Sequence, residues 1–349
     1  VSVVLLAFVT LMGVITGDRV NGAARWMSFM GLQFQPSELA KMAVVIAVSF
    51  ILSKRQDDEG ANPKAFKYIM IITGLVCLLI APENLSTAML LFGVVFLMMF
   101  IGRVAARKLL LLIGSLGLVG VIGVVFLLAI PKDSDIPFLH RFDTWKSRIT
   151  NFTEKEEVPA AKFDIDKDAQ IAHARIAIAT SNFVGKAPGN SIQRDFLSQA
   201  FSDFIFAIII EELGLVGGAF VVCLYIWLLV RAGRIAQKCE RTFPAFLVMG
   251  IALMLVAQAI LNMRVAVGLF PVTGQPLPLI SKGGTSTLIN CAYIGMILSV
   301  SRYTAYLEEQ KERDAQLQMQ IAAETTEAQI VAEPTAQVLN SDAEFEKEK

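Results

Sequence analysis

FIFAIIIEELGLVGGAFVVCLYIWLLV, residues 204–230, is an apolar run of membrane-spanning length whose only charges are Glu211 and Glu212. A bilayer core about 30 Å thick asks for roughly 20 apolar residues per helix. Comparable windows recur at Val1 to Thr16, Leu39 to Leu52, Phe66 to Ala81, Leu85 to Ile101, Leu109 to Ile130, Phe243 to Leu261 and Thr285 to Val300, so eight spans are expected. Unpaired backbone groups are expensive in hydrocarbon, and the runs lack the period-2 alternation of a barrel, so these segments are helices. The fold class that follows is all-α, a polytopic integral membrane protein.

Composition agrees. Of 349 residues 55% are hydrophobic, and the mean hydropathy of +0.59 exceeds what one soluble core could bury. A formal net charge of zero leaves no nucleic-acid footprint. Lys and Arg gather in the short connections Ser53 to Lys67, Gly102 to Lys108 and Arg231 to Arg241, whereas Gly17 to Gln35 holds only Arg19 and Arg25. By the positive-inside rule the first three connections are cytoplasmic. Gly17 to Gln35, Pro131 to Asp203 and Asn262 to Gly284 then lie outside, with the C-terminus inside. Cys77, Cys223 and Cys291 sit in apolar helices and Cys239 in a loop. With only His140 and His173 beside them, neither a disulfide framework nor a zinc site is supported.

The chain begins at Val1 inside an apolar run, without an initiator Met or the charged lead of a signal peptide, and upstream residues are expected. Residues 1–304 read as the membrane domain. Residues 305–349 hold eleven Asp or Glu against four Lys or Arg, a net of −7. They are expected to form an acidic cytoplasmic tail, helical at first and then disordered. The connection from Pro131 to Asp203 is too long to be a simple loop. Within it Phe138, Phe142, Trp145 and Ile149 recur at helical spacing among cations, as a helix on the membrane surface or a cap on the bundle would require. A second amphipathic stretch, Ala169 to Thr180, is ended by Gly185, Pro188 and Gly189.

Ionisable residues at helix entrances carry the chemistry, because charge at membrane depth is rare unless paired, wetted or functional. In QPSELAK (35–41), Pro36 suits a first helical turn and Glu38 the positive end of the helix dipole. Glu38 and Lys41, at i and i+3, fit a structural ion pair. Ser202 or Asp203 fits an N-cap for the helix that follows. Asp203 also stands at the outer boundary, where partial burial suits a general base. On an unbroken helix Glu211 lies about 80° from Asp203 and Glu212 on the opposite face, so Glu211 alone could share its cavity. PVTGQPLPLISKGG (271–284) is too rich in Pro and Gly for a regular helix. It reads either as a re-entrant structural turn or as a cavity lining whose amides, with Arg264 and Lys282, bind phosphate.

NGAARW (21–26), QPSELAK (35–41), GNSIQ (189–193), SDFIFA (202–207), EELG (211–214) and PVTGQPLPLISKGGTS (271–286) together resemble the SEDS (FtsW/RodA/SpoVE) family of peptidoglycan glycosyltransferases, over residues 1 to about 304. The resemblance implies ten spans, of which this chain would carry the third to the tenth. It implies that Asp203 is the catalytic base and that the substrate is lipid II. The GlcNAc 4-hydroxyl of an acceptor would attack the MurNAc anomeric carbon of a lipid-linked strand and expel undecaprenyl pyrophosphate with inversion. Arg25, Lys41, Arg264 or a divalent cation such as Mg or Mn would offset the leaving charge, with Glu38 holding Lys41. Ser281, Lys282, Gly283 and Gly284 would bind substrate, and Trp26 and Glu211 would line the cavity.

The likeness implies a class B penicillin-binding protein and other division proteins as partners, and a place at the septum, because EELG and the loop look more like the division branch than the elongation branch. Departures are Pro82-Glu83-Asn84-Leu85, which shifts an expected acid by one position, Lys282 where an aromatic is common, Ser198 where Pro is common, and His173 where Gln is common. Two rivals stand beside the enzyme: a lipid II flippase, which would use charges across the membrane midplane, and a scaffold that recruits cell-wall factors.

Overall fold

The computed structural model describes residues 6, 27–29, 32–57, 60–82, 84–129, 168–197 and 200–345. Most of the first expected span and all of the amphipathic stretch at Phe138 to Ile149 lie outside them. Pro36 opens α1 (Pro36–Lys54), its fixed φ suited to a first turn where no N–H is needed. Asn62 caps α2 (Pro63–Ile80) by accepting a hydrogen bond from the Lys64 amide at 3.0 Å. Asn84 caps α3 (Leu85–Ile101) by accepting from the Thr87 amide at 3.2 Å. The remaining helices among the described residues are α4 (Ala106–Ala129), α5 (Asp168–Thr180), α6 (Ile205–Lys238), α7 (Thr242–Ala266) and α8 (Gly284–Phe345). Two antiparallel hairpins are the only sheet there: β1 (Met27–Phe29) with β2 (Leu32–Phe34), and β3 (Gln56–Asp57) with β4 (Gly60–Ala61).

Six of these helices are long and apolar enough to cross a membrane, and α3 is a shorter apolar helix of 17 residues. They coincide with seven of the eight expected spans, and the chain is a multi-pass, all-α membrane protein. Helix α8 continues through Phe345, and the Ala, Glu, Gln, Lys and Arg of its later part are good helix formers. The chain divides into two units, Val1–Ile297 and Leu298–Lys349.

Helix α7 packs against α1, α3 and α6 and forms the middle of the first unit. Among the described residues the apolar windows of α1 and α7 are each 56% buried and that of α4 only 6%. Gly250 lets α7 close on its neighbours: a Cβ there would stand 2.6 Å from Met98 Cε and 2.9 Å from Val45 Cγ1.

Helix α6 is broken. Gly214 has φ 73° and ψ −174°, a conformation that an L side chain rarely adopts. The loop after α5 fills the gap. Asn182 and Phe183 offer carbonyls to the Leu215 and Val216 amides, both at 3.4 Å, and the Lys186 amide donates to the Glu211 carbonyl at 3.0 Å. Backbone groups freed by the break are thereby satisfied within the protein, as hydrocarbon demands. Gly185, at φ 75°, lies so close that a Cβ on it would collide with the backbone of Gly214.

Candidate active site

Residues 201–203 form a turn that leads into α6. Asp203 is half-buried, while Phe204 beside it is 1% exposed, packed in a cluster with Ala174, Ala177, Ala207 and Val265. The N-cap position of α6 falls on Phe204 and carries no side-chain cap bond, so the structure does not place Ser202 or Asp203 there. Instead the Ser202 hydroxyl donates to Asp203 Oδ1 at 3.1 Å.

Three consecutive carbonyls of this turn are each held by a different donor. The Lys282 amide donates to Phe201 O at 2.8 Å, the Ser281 hydroxyl to Ser202 O at 2.6 Å, and the Asn262 amide nitrogen to Asp203 O at 2.9 Å. The non-helical segment 271–283 is thus stitched to Asp203. Ser281 Oγ also accepts from the Leu277 amide at 2.7 Å, and the Tyr225 hydroxyl donates to Pro278 O. Gln275 reaches across to donate to Thr87 Oγ1 at 2.6 Å. Pro and Gly leave this segment without a helical hydrogen-bond ladder, so side chains from α3, α6 and α7 supply partners for it.

Beneath it lies the expected ion pair. Lys41 Nζ stands 2.7 Å from Glu38 Oε1 and donates to Gln258 Oε1 at 3.0 Å, and Gln258 in turn donates to Pro276 O at 3.1 Å. Glu38 is 2% exposed and Lys41 fully buried. Lys41, sealed from solvent and already paired, holds α1 to α7 and, through Gln258, to segment 271–283.

Glu211 is fully buried as well. It accepts from Lys186 Nζ at 2.6 Å, the Ser191 hydroxyl at 2.5 Å, and the Ile192 and Gln193 amides at 3.3 and 3.4 Å. The loop has folded over it, which helical geometry alone could not reveal. His173 supports the same loop: its Nδ1 lies 2.7 Å from Gln193 Oε1 and its ring stacks on Phe196 at 5.2 Å.

Lys282 and Gly284 are exposed and Gly283 half-buried, so this stretch remains open to a ligand. Arg264 is also exposed, its guanidinium 5.9 Å from the centre of the Phe270 ring. The sequence reading missed Arg175 of α5. A Cβ on Gly268, at φ 75°, would stand 2.9 Å from its Nε, which puts a second exposed guanidinium at the end of α7. Its only signal was a cation on an amphipathic helix. Arg25, Trp26, Glu83 and Ser198 lie outside the described residues. Among the described residues no three His, Cys, Asp or Glu side chains gather to hold a metal ion. Cys77, Cys223, Cys239 and Cys291 are free thiols, and burial pushes that of Cys239 upward.

Comparison with known proteins gives the same picture. The family described as Cell cycle protein, FTSW_RODA_SPOVE, matches residues 1–306. The chain is 33% identical over 303 residues to the probable peptidoglycan glycosyltransferase FtsW of Trichlorobacter lovleyi, covering 86% of this chain and 74% of that one. It is 32% identical over 308 residues to the protein of that name from Methylococcus capsulatus, covering 86% and 71%. Among solved structures it resembles a chain described under structural coordination of polymerization and crosslinking by a peptidoglycan synthase complex, with TM-score 0.66, 28% identity, and 87% and 79% of the two chains covered. It also resembles the rod shape determining protein RodA of Thermus thermophilus, with TM-score 0.55, 26% identity, and 86% and 75% covered.

Proposed function

The chain belongs to the FtsW/RodA/SpoVE family of cell cycle proteins, and from that premise we propose that it is a peptidoglycan glycosyltransferase that polymerises lipid II, with Asp203 as its general base. The acceptor's GlcNAc 4-hydroxyl attacks the donor's MurNAc anomeric carbon. A new carbon–oxygen bond forms there, the bond to pyrophosphate breaks, and the electron pair leaves with undecaprenyl pyrophosphate. The hydroxyl proton passes to the Asp203 carboxylate, and attack opposite the leaving group inverts the centre. A positioned base of this kind contributes about 10²–10⁴-fold.

The observation that supports this assignment is the turn itself. Asp203 is half-buried at one end of the bundle, and the three carbonyls up to and including its own are fixed by α7 and segment 271–283. Lys282 of that segment and Arg264 of α7, both exposed, are the cations that offset charge on the departing pyrophosphate. Ser281 acts on the turn, and Gly283 and Gly284 leave room for the substrate to approach. Transport of the lipid head group fits less well, because Glu38 and Lys41, the charges it would use at membrane depth, are paired and sealed. A class B penicillin-binding protein as partner, an outward-facing Asp203, a cytoplasmic C-terminus and action at the division septum complete the proposal.

The test is lipid II polymerisation by the full-length protein with its transpeptidase partner, native against Asp203→Asn and Asp203→Ala at equal folded amounts. Both variants are expected to make no measurable glycan while melting as the native protein does. Native rates in either would reduce Asp203 to a turn residue and bring transport or scaffolding forward.

A further inference from the structure

We infer that Asn262 is a positioning residue for the reaction, setting the direction of Asp203 through its backbone; this rests on Asp203 being the base. Asn262 lies in α7 and is 1% exposed. Its terminal amide has two N–H donors, and both are spent on carbonyls outside regular structure: Asp203 O at 2.9 Å and Gln275 O at 2.8 Å. One planar group on a rigid helix therefore joins the turn that carries the base to the Pro/Gly segment that carries Lys282.

The choice of acceptors matters. A carbonyl bonded within α6 would fix the helix, but the Asp203 carbonyl precedes its first residue, Ile205. Fixing that peptide unit constrains the direction of the Asp203 Cα–Cβ bond and hence where the carboxylate stands. The neighbouring ties from Ser281 Oγ and the Lys282 amide hold Ser202 and Phe201. The Asn262 tie holds the carbonyl of Asp203 itself. Asn262 Oδ1 is buried without a partner, so the side chain is kept at this site at the expense of an unmet acceptor, as a group retained for its two donors would be.

Asn262→Ala removes both donors, and Asn262→Asp keeps the shape while an ionised carboxylate has no N–H to give. In the full-length protein with its transpeptidase partner and lipid II as substrate, both variants are expected to lose about a hundredfold in kcat, since a displacement of about 1 Å at the reacting groups costs that much. KM is expected to stay within about twofold of native, and the melting temperature to fall while both variants still fold, since each strands two buried carbonyls. A native kcat per folded molecule in Asn262→Asp, a raised KM with kcat unchanged, or failure of both variants to fold would each overturn the inference and leave Asn262 a packing residue. Asp203→Asn, run alongside, separates the two claims. If it is inactive while both Asn262 variants are native, the positioning role alone falls. If it turns over normally, the base assignment falls and takes the positioning role with it.

Discussion

Helix α6 is introduced by one carboxylate and interrupted just after another, and the two are treated oppositely. At Asp203 the protein grips the backbone, with Asn262 holding its carbonyl and Ser281 and Lys282 holding the two before it, while the side chain stays half-buried. At Glu211 it grips the carboxylate, with Lys186, Ser191 and two loop amides closing over it until nothing is exposed. A carboxylate whose lone pairs are consumed by four donors cannot take up a substrate proton; it can only hold a loop. Burial alone would have ranked Glu211 as the more interesting acid, so the decisive observation is what the donors point at.

That contrast sets the order of expected effects. Asp203→Asn should remove essentially all turnover, about 10²–10⁴-fold, and leave the melting temperature in place. Glu211→Ala should do the reverse, costing about 3 kcal/mol of stability by stranding Lys186 and the loop amides, and thermal melting in detergent reads it directly. The lower end of the range for broken buried pairs applies, because the Lys186 side chain is 27% exposed. If Glu211→Ala instead melts normally and stops polymerisation, the division of labour between the two acids is wrong. Gly185→Ala should follow at about 1–3 kcal/mol, since it forces an L residue to φ 75° against the Gly214 backbone; it sharpens the contrast if the loss of stability matches that of Glu211→Ala in kind, with loop residues becoming sensitive to protease. Smallest is Lys282→Ala, a loss of about threefold to tenfold in kcat/KM that shrinks as salt rises, because an exposed charge acts through screening solvent.

The spans were legible because lipid imposes a length and a composition that no soluble core demands, and Leu85–Ile101 was read to the residue. The Glu38–Lys41 pair was legible from its i, i+3 spacing, but its depth was not: that depends on Gln258 and Pro276, far along the chain. Asp203 was ambiguous by spacing, which favoured a cap over a base, and only the family motif favoured catalysis. Asn262 left no signal and Gly214 none beyond its place in EELG, since an Asn near a helix end and a Gly in an apolar run are both ordinary. Their roles arise from segments brought together in three dimensions, the turn at 201–203 for one and the loop at 182–186 for the other.

The break at Gly214 also divides α6 in two. The helix has 34 residues, about 51 Å at 1.5 Å per residue, well beyond a hydrocarbon core of about 30 Å. Arg231, Arg234 and Lys238 crowd its far end, so residues 215–230 alone give about 24 Å, and the leading part, which carries Glu211 and is fastened to the loop, completes the apolar length. The distance from Asp203 to the groups that hold it is set by protein contacts alone, so the geometry of the reaction does not follow the lipid in which the enzyme happens to sit.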